Sequence, residues 1–442
     1  MISKIWIKHF KAISSSNEIE IKPITIICGK NSSGKSSIIQ SLLLLKQTLN
    51  NPSFANAELA LEGEYLHYSH LSDISHRLPH ANTAKIDYEF ELVSDGQVLG
   101  KYGFSFRQSA TSKKSRKGPY IFDIRWSEYN GVENIIRMEK EKLRLNNKLF
   151  NLISPDKEFN NKLEYELKLY HFLPEFIRSK NTNNELSRIT LERKNILRKL
   201  SDNLYWELSD LEYLSPLRAM PQRAYLQFSG QESELEIDGS NVAQYLWLNK
   251  DQKVVFNSEM ITLLDGVNAC LKLMGLDQEV TVKRTNRILY QLTVKLHNDS
   301  KKEVPISDVG FGYSQIIPMI VRGLMSRNKA LTIYEQPEIH LHPSSAGNIA
   351  DILIQFARDG KRSIVETHSA DLINKLRLRI IENPELSELV NIIFVERDVS
   401  NDATIRQFRF DEDGMPPEWP IGFLDESQSI AEKIICARIN RK

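Results

Sequence analysis

The sequence predicts an α/β fold: a mixed, largely parallel sheet with an antiparallel β subdomain, interrupted by an inserted helical lobe. Three observations predict it. A short, almost wholly apolar run, Ile24-Thr-Ile-Ile-Cys28, ends at a glycine-rich loop and is followed by a helical stretch. Two further apolar runs, Ala330 to Tyr334 and Ser363 to Val365, each end in polar residues suited to chemistry. Between these regions lies a long segment rich in Lys, Glu, Asn and Leu and almost without glycine. Short runs that are apolar on both faces are how strands covered by helices on both sides read.

Taken in order, Lys4 to Phe10 alternates apolar and polar residues like a half-buried strand, and Ile19 and Ile21 repeat the pattern. A helix is expected from Ser36 to about Leu49, and antiparallel hairpin strands between Ile86 and Phe106. Leu197, Leu200, Leu204, Leu208 and Leu211 recur at spacings of three or four, the stripe of an amphipathic helix. Val280 to Leu296 alternates again, and the tail adds the strands Ile392 to Val395 and Ile405 to Phe410 and a closing helix from about Gln428. The expected division is 1–110 for the N-terminal part of the α/β head, 111–235 for a mainly helical insert, 236–380 for the rest of the head and 381–442 for a hairpin and helix tail.

Composition narrows the function classes. The chain has 442 residues, enough for two lobes, with 41% hydrophobic and 26% charged residues. A net charge of +1 means that nucleic-acid binding would need a local patch, and Lys113-Lys-Ser-Arg-Lys117 and the helix Arg188 to Lys199 are the candidates. Cys28, Cys270 and Cys436 lie far apart without CxxC spacing, which argues against a zinc site or disulfide framework and fits a reducing, cytoplasmic setting. The greasiest stretch, Leu42 to Leu45, falls far short of the roughly 20 residues that span a bilayer. No membrane partner is expected.

Chemistry concentrates in four segments. Gly29-Lys-Asn31-Ser32-Ser33-Gly34-Lys35-Ser36 matches GxxxxGK[ST] with a strand before it and a helix after it, the context that makes a P-loop. Its glycines let successive N–H groups converge on a phosphate at the positive end of the helix, with Ser37 in the first turn. Lys35 would reach the β- and γ-phosphates of ATP, and the Ser36 hydroxyl would ligate Mg²⁺. Leu331-Thr-Ile-Tyr-Glu335-Gln336-Pro337-Glu338-Ile-His340-Leu-His342-Pro343 is an apolar strand ending in a carboxylate, the Walker B arrangement, with Glu335 as the second Mg²⁺ ligand. Ser363-Ile-Val-Glu366-Thr367-His368-Ser369 places His368 at a strand tip, where an imidazole could sense a γ-phosphate. Ser307-Asp-Val-Gly310-Phe-Gly312-Tyr-Ser314-Gln315 leads into the helical run Ile316 to Met325, with Pro318 expected in the first turn.

The order of these segments, P-loop, long gap, Gly/Ser helix start, Walker B and strand-tip histidine, resembles that of ABC-type ATPases. It is most similar to the RecF/SMC-like branch, and to bacterial OLD-type ATPases in its Glu-x-Pro-Glu-x-His-Leu-His-Pro and Thr-His-Ser segments. Leu214-Ser-Pro-Leu-Arg218-Ala-Met-Pro-Gln-Arg223 and Gly414 to Glu426 also resemble segments of that group, the latter a tail on free-standing ATPases, several of them linked to anti-phage defence. The resemblance covers roughly residues 1–100 and everything after residue 300. It implies an ABC ATPase head that hydrolyses ATP with Mg²⁺ as a head-to-tail homodimer, Gly312, Ser314 and Gln315 acting in trans on the partner's nucleotide. The segment after His368 is too short for the nuclease domain of OLD-type chains, so a separately encoded effector such as a nuclease is the expected partner. The alternative is a RecF-like DNA-binding repair or chromosome-maintenance ATPase. Where that group carries its catalytic glutamate this chain has Gln336, which leaves the water-positioning role open between Gln336 and Glu338 and implies slow turnover.

Overall fold

A computed structural model describes residues 1–51, 58–77, 84–108, 119–128, 134–138, 148–153, 163–179, 184–226, 234–296, 299–418, 433 and 436–437. The basic cluster at 113–117, most of the tail segment after 418 and most of the closing helix expected from 428 lie outside them. In chain order the elements are β1 (Ile2–Phe10), β2 (Ile13–Ser15), β3 (Ile19–Glu20), β4 (Ile24–Gly29), α1 (Lys35–Asn50), β5 (Lys85–Ser94) and β6 (Gln97–Arg107). Next come β7 (Tyr120–Glu128), β8 (Asn134–Met138), β9 (Lys148–Ile153), β10 (Leu163–Tyr170), β11 (Leu173–Ser179), α2 (Asn184–Ser209), β12 (Glu212–Leu214) and β13 (Tyr225–Leu226). Then follow α3 (Val242–Asn249), β14 (Lys253–Phe256), β15 (Glu259–Thr262), α4 (Leu263–Leu273), β16 (Val280–Asn286), β17 (Leu289–Leu296) and β18 (Asp299–Pro305). The last are α5 (Phe311–Met325), β19 (Leu331–Glu335), α6 (Pro343–Arg358), β20 (Arg362–Glu366), α7 (Ala370–Glu382), β21 (Val390–Arg397) and β22 (Ala403–Phe408).

The chain forms two compact units. The first comprises Met1–Ile21, Asn31–Asp210 and Val395–Ile405. Its frame is an antiparallel sheet in the order β11-β10-β9-β8-β7-β6-β5-β1-β2, with β3 also paired to β1. Alternation in β5 and β6 turns Tyr88, Phe90, Tyr102, Phe104 and Phe106 to one buried face, where Phe172 stacks on Phe104 at 4.7 Å between ring centroids. α2 lays Leu197, Leu200, Leu204 and Leu208 into the core, as its leucine stripe demands. α1 packs against α2 and β1, and its Leu42 to Leu45 run is fully buried there. Among the described residues no helix is long and apolar enough to cross a membrane.

The second unit comprises Lys22–Lys30, Leu211–Phe394 and the described residues from Arg406 onward. Its central sheet runs β12-β19-β20-β4-β21-β22, in which β12, β19, β20 and β4 pair parallel with one another in that order. Three of these strands are buried along nearly their whole length, and α4, α5 and α6 join the same apolar core. A smaller antiparallel sheet of β13, β16, β17 and β18 and the hairpin β14–β15 complete the unit.

The insert departs from the expectation of a mainly helical lobe. Its described residues from Tyr120 to Ser179 form the strands β7 to β11, and helix is confined to α2. Lys, Glu and Leu favour helix only weakly, and cross-strand pairing on an existing sheet edge overrides that preference. The alternation Leu163-Glu-Tyr-Glu-Leu-Lys-Leu-Tyr170 pairs on both sides, with β9 and β11.

Candidate functional site

The phosphate-loop motif begins at the tip of a strand that its composition drives inside. β4 is buried up to Cys28, and Gly29 then turns at φ 137°. Ser32 at φ 59° and Gly34 at φ 109° complete a left-handed curl, which brings successive N–H groups to one side. A side chain at Gly34 would meet the Cβ atoms of Ala12 and Ala403 at 3.0 Å each, so the position is closed to anything larger. α1 then starts at Lys35 with no side-chain cap and no acidic residue in its first turn. A helix start without a side-chain cap or an acidic first turn presents the positive end of the dipole uncompensated by its own side chains. Ser33 is buried and its hydroxyl has no partner among the described residues. Lys35 and Ser37 are buried, Ser36 is half-buried, and Asn31 and Ser32 are exposed. A helix start with no side-chain cap, a buried hydroxyl without a partner among the described residues and a lysine at the first helical position fit an anion such as a triphosphate.

In the second unit the parallel register brings acidic residues together at the strand ends. Glu335 lies opposite Glu366, and Glu366 opposite Ile27, two residues before Gly29. Burial, then the neighbouring Glu366, push the Glu335 carboxyl up to about 7, against a hydrogen bond from the Tyr213 hydroxyl to its Oε1 at 3.3 Å. Two close, shielded carboxylates resist double ionisation, and a divalent cation would reverse that cost. These donors therefore fit Mg²⁺.

The turn after β19 is held by backbone contacts. Gln336 adopts a left-handed φ of 44°, and its N–H donates to the Glu366 carbonyl at 2.7 Å. The buried Arg218 guanidinium donates from Nη2 to the Glu335 carbonyl at 3.3 Å and, more weakly, to the Gln336 carbonyl at 3.5 Å. Glu338 reaches across to the next strand end: its Oε1 accepts from the Thr367 hydroxyl at 2.7 Å and from the His368 N–H at 2.8 Å. Its Oε2 is buried without a partner among the described residues. The Thr367 N–H donates to the Ile27 carbonyl at 3.0 Å, so the segment carrying His368 runs directly beside β4. His368 itself is exposed, and Ser369 caps α7 by accepting from the Leu372 N–H at 3.2 Å.

The Gly/Ser segment begins its helix earlier than its sequence suggests. α5 starts at Phe311 with Gly310 as its cap at φ 117°. Gly312, Ser314 and Gln315 are the second, fourth and fifth helical residues, and Ser314 and Gln315 are buried. Pro318 is accordingly an interior residue two turns in, a correction to its placement in the first turn. It has no N–H to offer the Ser314 carbonyl, and its ring requires glycine opposite, since a Cβ at Gly239 would lie 2.6 Å from it. Gly312 faces the Walker B turn, its position 3.6 Å from Leu341 as judged by an added Cβ.

The family described as AAA ATPase domain matches residues 1–373, which include the phosphate loop, Glu335, Glu338 and His368. The chain belongs to the AAA ATPase domain family. Among solved structures this AAA ATPase is similar to the Smc head bound to the C-winged helix domain of ScpA, at a TM-score of 0.44 and 11% identity over 92% of this chain and 97% of that chain. It is similar to the SMC head domain from Thermotoga maritima at a TM-score of 0.40 and 10% identity, over 95% and 99% of the two chains. A Smc head domain with an extended coiled coil, bound to the C-terminal domain of ScpA derived from Pyrococcus furiosus, gives 0.40 and 11% over 98% and 99%. No curated relative matches the sequence.

Within one unit, then, the AAA ATPase gathers Gly29, Glu335, Gln336, Glu338 and His368 around three side chains given no role in the sequence reading: Tyr213, Arg218 and Glu366. Glu366 had a signal, a carboxylate ending an apolar strand next to Thr-His-Ser. Tyr213 had none and Arg218 had none beyond its place in a family-like segment, because only the pairing of β12 with β19 brings them to Glu335.

Proposed function

We propose that this AAA ATPase binds and slowly hydrolyses Mg²⁺-ATP in the ABC manner, as a head-to-tail homodimer whose nucleotide state regulates a separate effector in anti-phage defence. The observation that carries the nucleotide reading is the start of α1, with no side-chain cap and no acidic first turn, behind a left-handed glycine loop whose Ser33 hydroxyl is buried without a partner among the described residues. Gly29 to Ser37 would hold the phosphates, and Ser36 and Glu335 would hold Mg²⁺. The bound metal supplies charge neutralisation at the transferred phosphoryl group.

This chain's own residues do the rest. Gln336 can orient water through its amide but is a poor proton acceptor, which keeps turnover slow. Glu338 acts as a clasp on the loop of His368, since one of its oxygens holds both Thr367 and the His368 N–H. Ser314 on α5 is read as the residue that completes the partner's site. The regulatory and defence reading rests on resemblance of the Walker B, Thr-His-Ser and tail segments to free-standing defence ATPases.

Phosphate release at saturating Mg²⁺-ATP tests hydrolysis, and silence there leaves an ATP-binding scaffold. Mixing inactive Lys35→Ala with inactive Ser314→Arg tests the trans arrangement. A mixed dimer then contains one intact site and regains activity, and no recovery would place Ser314 in cis or outside the site. Gln336→Glu should hydrolyse about 10-fold faster if position 336 orients the water.

A further inference from the structure

The phosphate loop is gripped by a turn from the far end of the chain. β21 and β22 join through Asp398 to Asp402, which closes on itself: the Asp398 N–H donates to the Asp402 carbonyl at 2.9 Å, and the Asp402 N–H to the Asp398 carboxylate at 2.8 Å. Arg397, exposed just before the turn, donates from Nε to the Ser32 carbonyl at 2.8 Å and from Nη1 to the Asn401 carbonyl at 2.6 Å. The Asp402 carboxylate pairs with Arg77 at 2.7 Å and with His76 at 3.2 Å. His76 in turn bonds the Lys11 carbonyl through Nδ1 at 2.6 Å, and the Ala403 N–H donates to the Ala12 carbonyl at 2.8 Å. Ala12 and Ala403 are the two residues that flank Gly34. All of these residues belong to the first unit, and Arg397, Asp402 and Ala403 lie beyond residue 373, where the family match ends.

A loop that turns its N–H groups inward toward an anion must turn carbonyls outward, and those carbonyls need donors. Ser32 also holds a left-handed φ, which a residue with a side chain keeps only where its surroundings enforce it. Arg397 meets both needs, with a charged donor on the Ser32 carbonyl that is itself tied to the turn through Asn401. We propose that Arg397 is a positioning residue for nucleotide binding: with Asp402 and Ala403 it clamps Ser32 to Gly34 in the phosphate-binding curl, so that a turn outside the family's domain tunes affinity for the triphosphate. The proposal rests on the reading of Gly29 to Ser37 as the phosphate loop. Because such coupling is reciprocal, bound nucleotide also quiets the turn.

The test compares the full chain with Arg397→Ala, Arg397→Lys and Asp402→Asn, reading affinity for a fluorescent ATP analogue with Mg²⁺, nucleotide-free melting temperature, and amide exchange of Gly29 to Ser37. Arg397→Ala is expected to bind about 10-fold more weakly, the loss of one charge-assisted hydrogen bond, with an unchanged melting temperature and faster exchange in the loop. Arg397→Lys, which keeps one donor, recovers most of the affinity, and Asp402→Asn loses less than Arg397→Ala. Wild-type affinity and wild-type exchange in Arg397→Ala overturn the clamp. If the wild-type chain binds no ATP analogue, the phosphate-loop reading and the tuning of affinity both fall. Exchange in Gly29 to Ser37 then decides separately whether Arg397 holds the loop.

Discussion

The strand-end cluster and the phosphate loop differ in what holds their main chain, although among the described residues each also buries polar atoms without a hydrogen-bond partner, Arg218 Nε and Glu338 Oε2 at the strand ends and Ser33 Oγ in the loop. At the strand ends, Arg218, Tyr213, Thr367 and the Gln336 amide all find partners within the protein, most of them main-chain atoms. In the loop, α1 has no side-chain cap, and the Ser33 hydroxyl is buried without a partner among the described residues. Main chain tied down by its own protein in this way is rigid before any ligand arrives. A buried hydroxyl left without a partner among the described residues carries a cost that a ligand can remove. The first should therefore govern stability, and the second affinity.

Four substitutions press on that contrast. Lys35→Ala should weaken ATP binding about 1000-fold, some 4 kcal/mol, while the nucleotide-free protein loses less than about 1 kcal/mol. Calorimetric titration and urea unfolding read the two numbers, and a comparable loss in both would break the contrast from the loop side. Arg218→Ala should do the reverse, lowering stability by about 2–3 kcal/mol because it removes a buried charged donor from the carbonyls of the Walker B turn. Nucleotide affinity in that variant should move by less than a factor of about 3.

Glu366→Gln comes next and carries a pH signature. Folded, the Glu335 carboxyl keeps its proton up to about pH 7, whereas its unperturbed value is 4.5. The folded state thus binds more protons between those values, and stability falls as pH rises from 4.5 to about 7. Removing the Glu366 charge should flatten that fall and stabilise the nucleotide-free protein above pH 7 by about 1–2 kcal/mol, as urea unfolding across pH would show. Last is Lys361→Met, whose effect is confined to alkaline pH. Lys361 caps the end of α5 through the Gly323 and Leu324 carbonyls at 2.7 and 2.6 Å, and burial lowers its pKa from 10.5 to about 8. The folded chain sheds this proton first, so this lysine's contribution rises between pH 8 and 10.5. Wild type should gain about 3 kcal/mol on the Met variant across that window.

The same contrast explains what the sequence made legible. β4, β19 and β20 read directly as strands because parallel strands buried on both faces are unbroken apolar runs, and each ends where the apolar run ends. The left-handed turns after them were legible where glycine marks them, at positions 29 and 34, and hidden at Ser32 and Gln336, where tertiary contacts impose the conformation. The strands of the insert were hidden because β7 to β11 pair on one another and on β6, and pairing partners leave no local trace in a Lys- and Glu-rich segment. Pro318 misled for a related reason: proline is common at helix starts, and only the packing against Gly239 explains it two turns in.

Gly34 carries one more consequence, for how the sequence can drift. Its neighbours Ala12 and Ala403 come from opposite ends of the chain, yet the three share one small space in which each side chain is already minimal. No one of the three can grow unless another retreats, and two of them have nothing left to give but glycine. Substitutions at positions 12, 34 and 403 are therefore sterically coupled, and the loop glycine ties a distant turn to small residues.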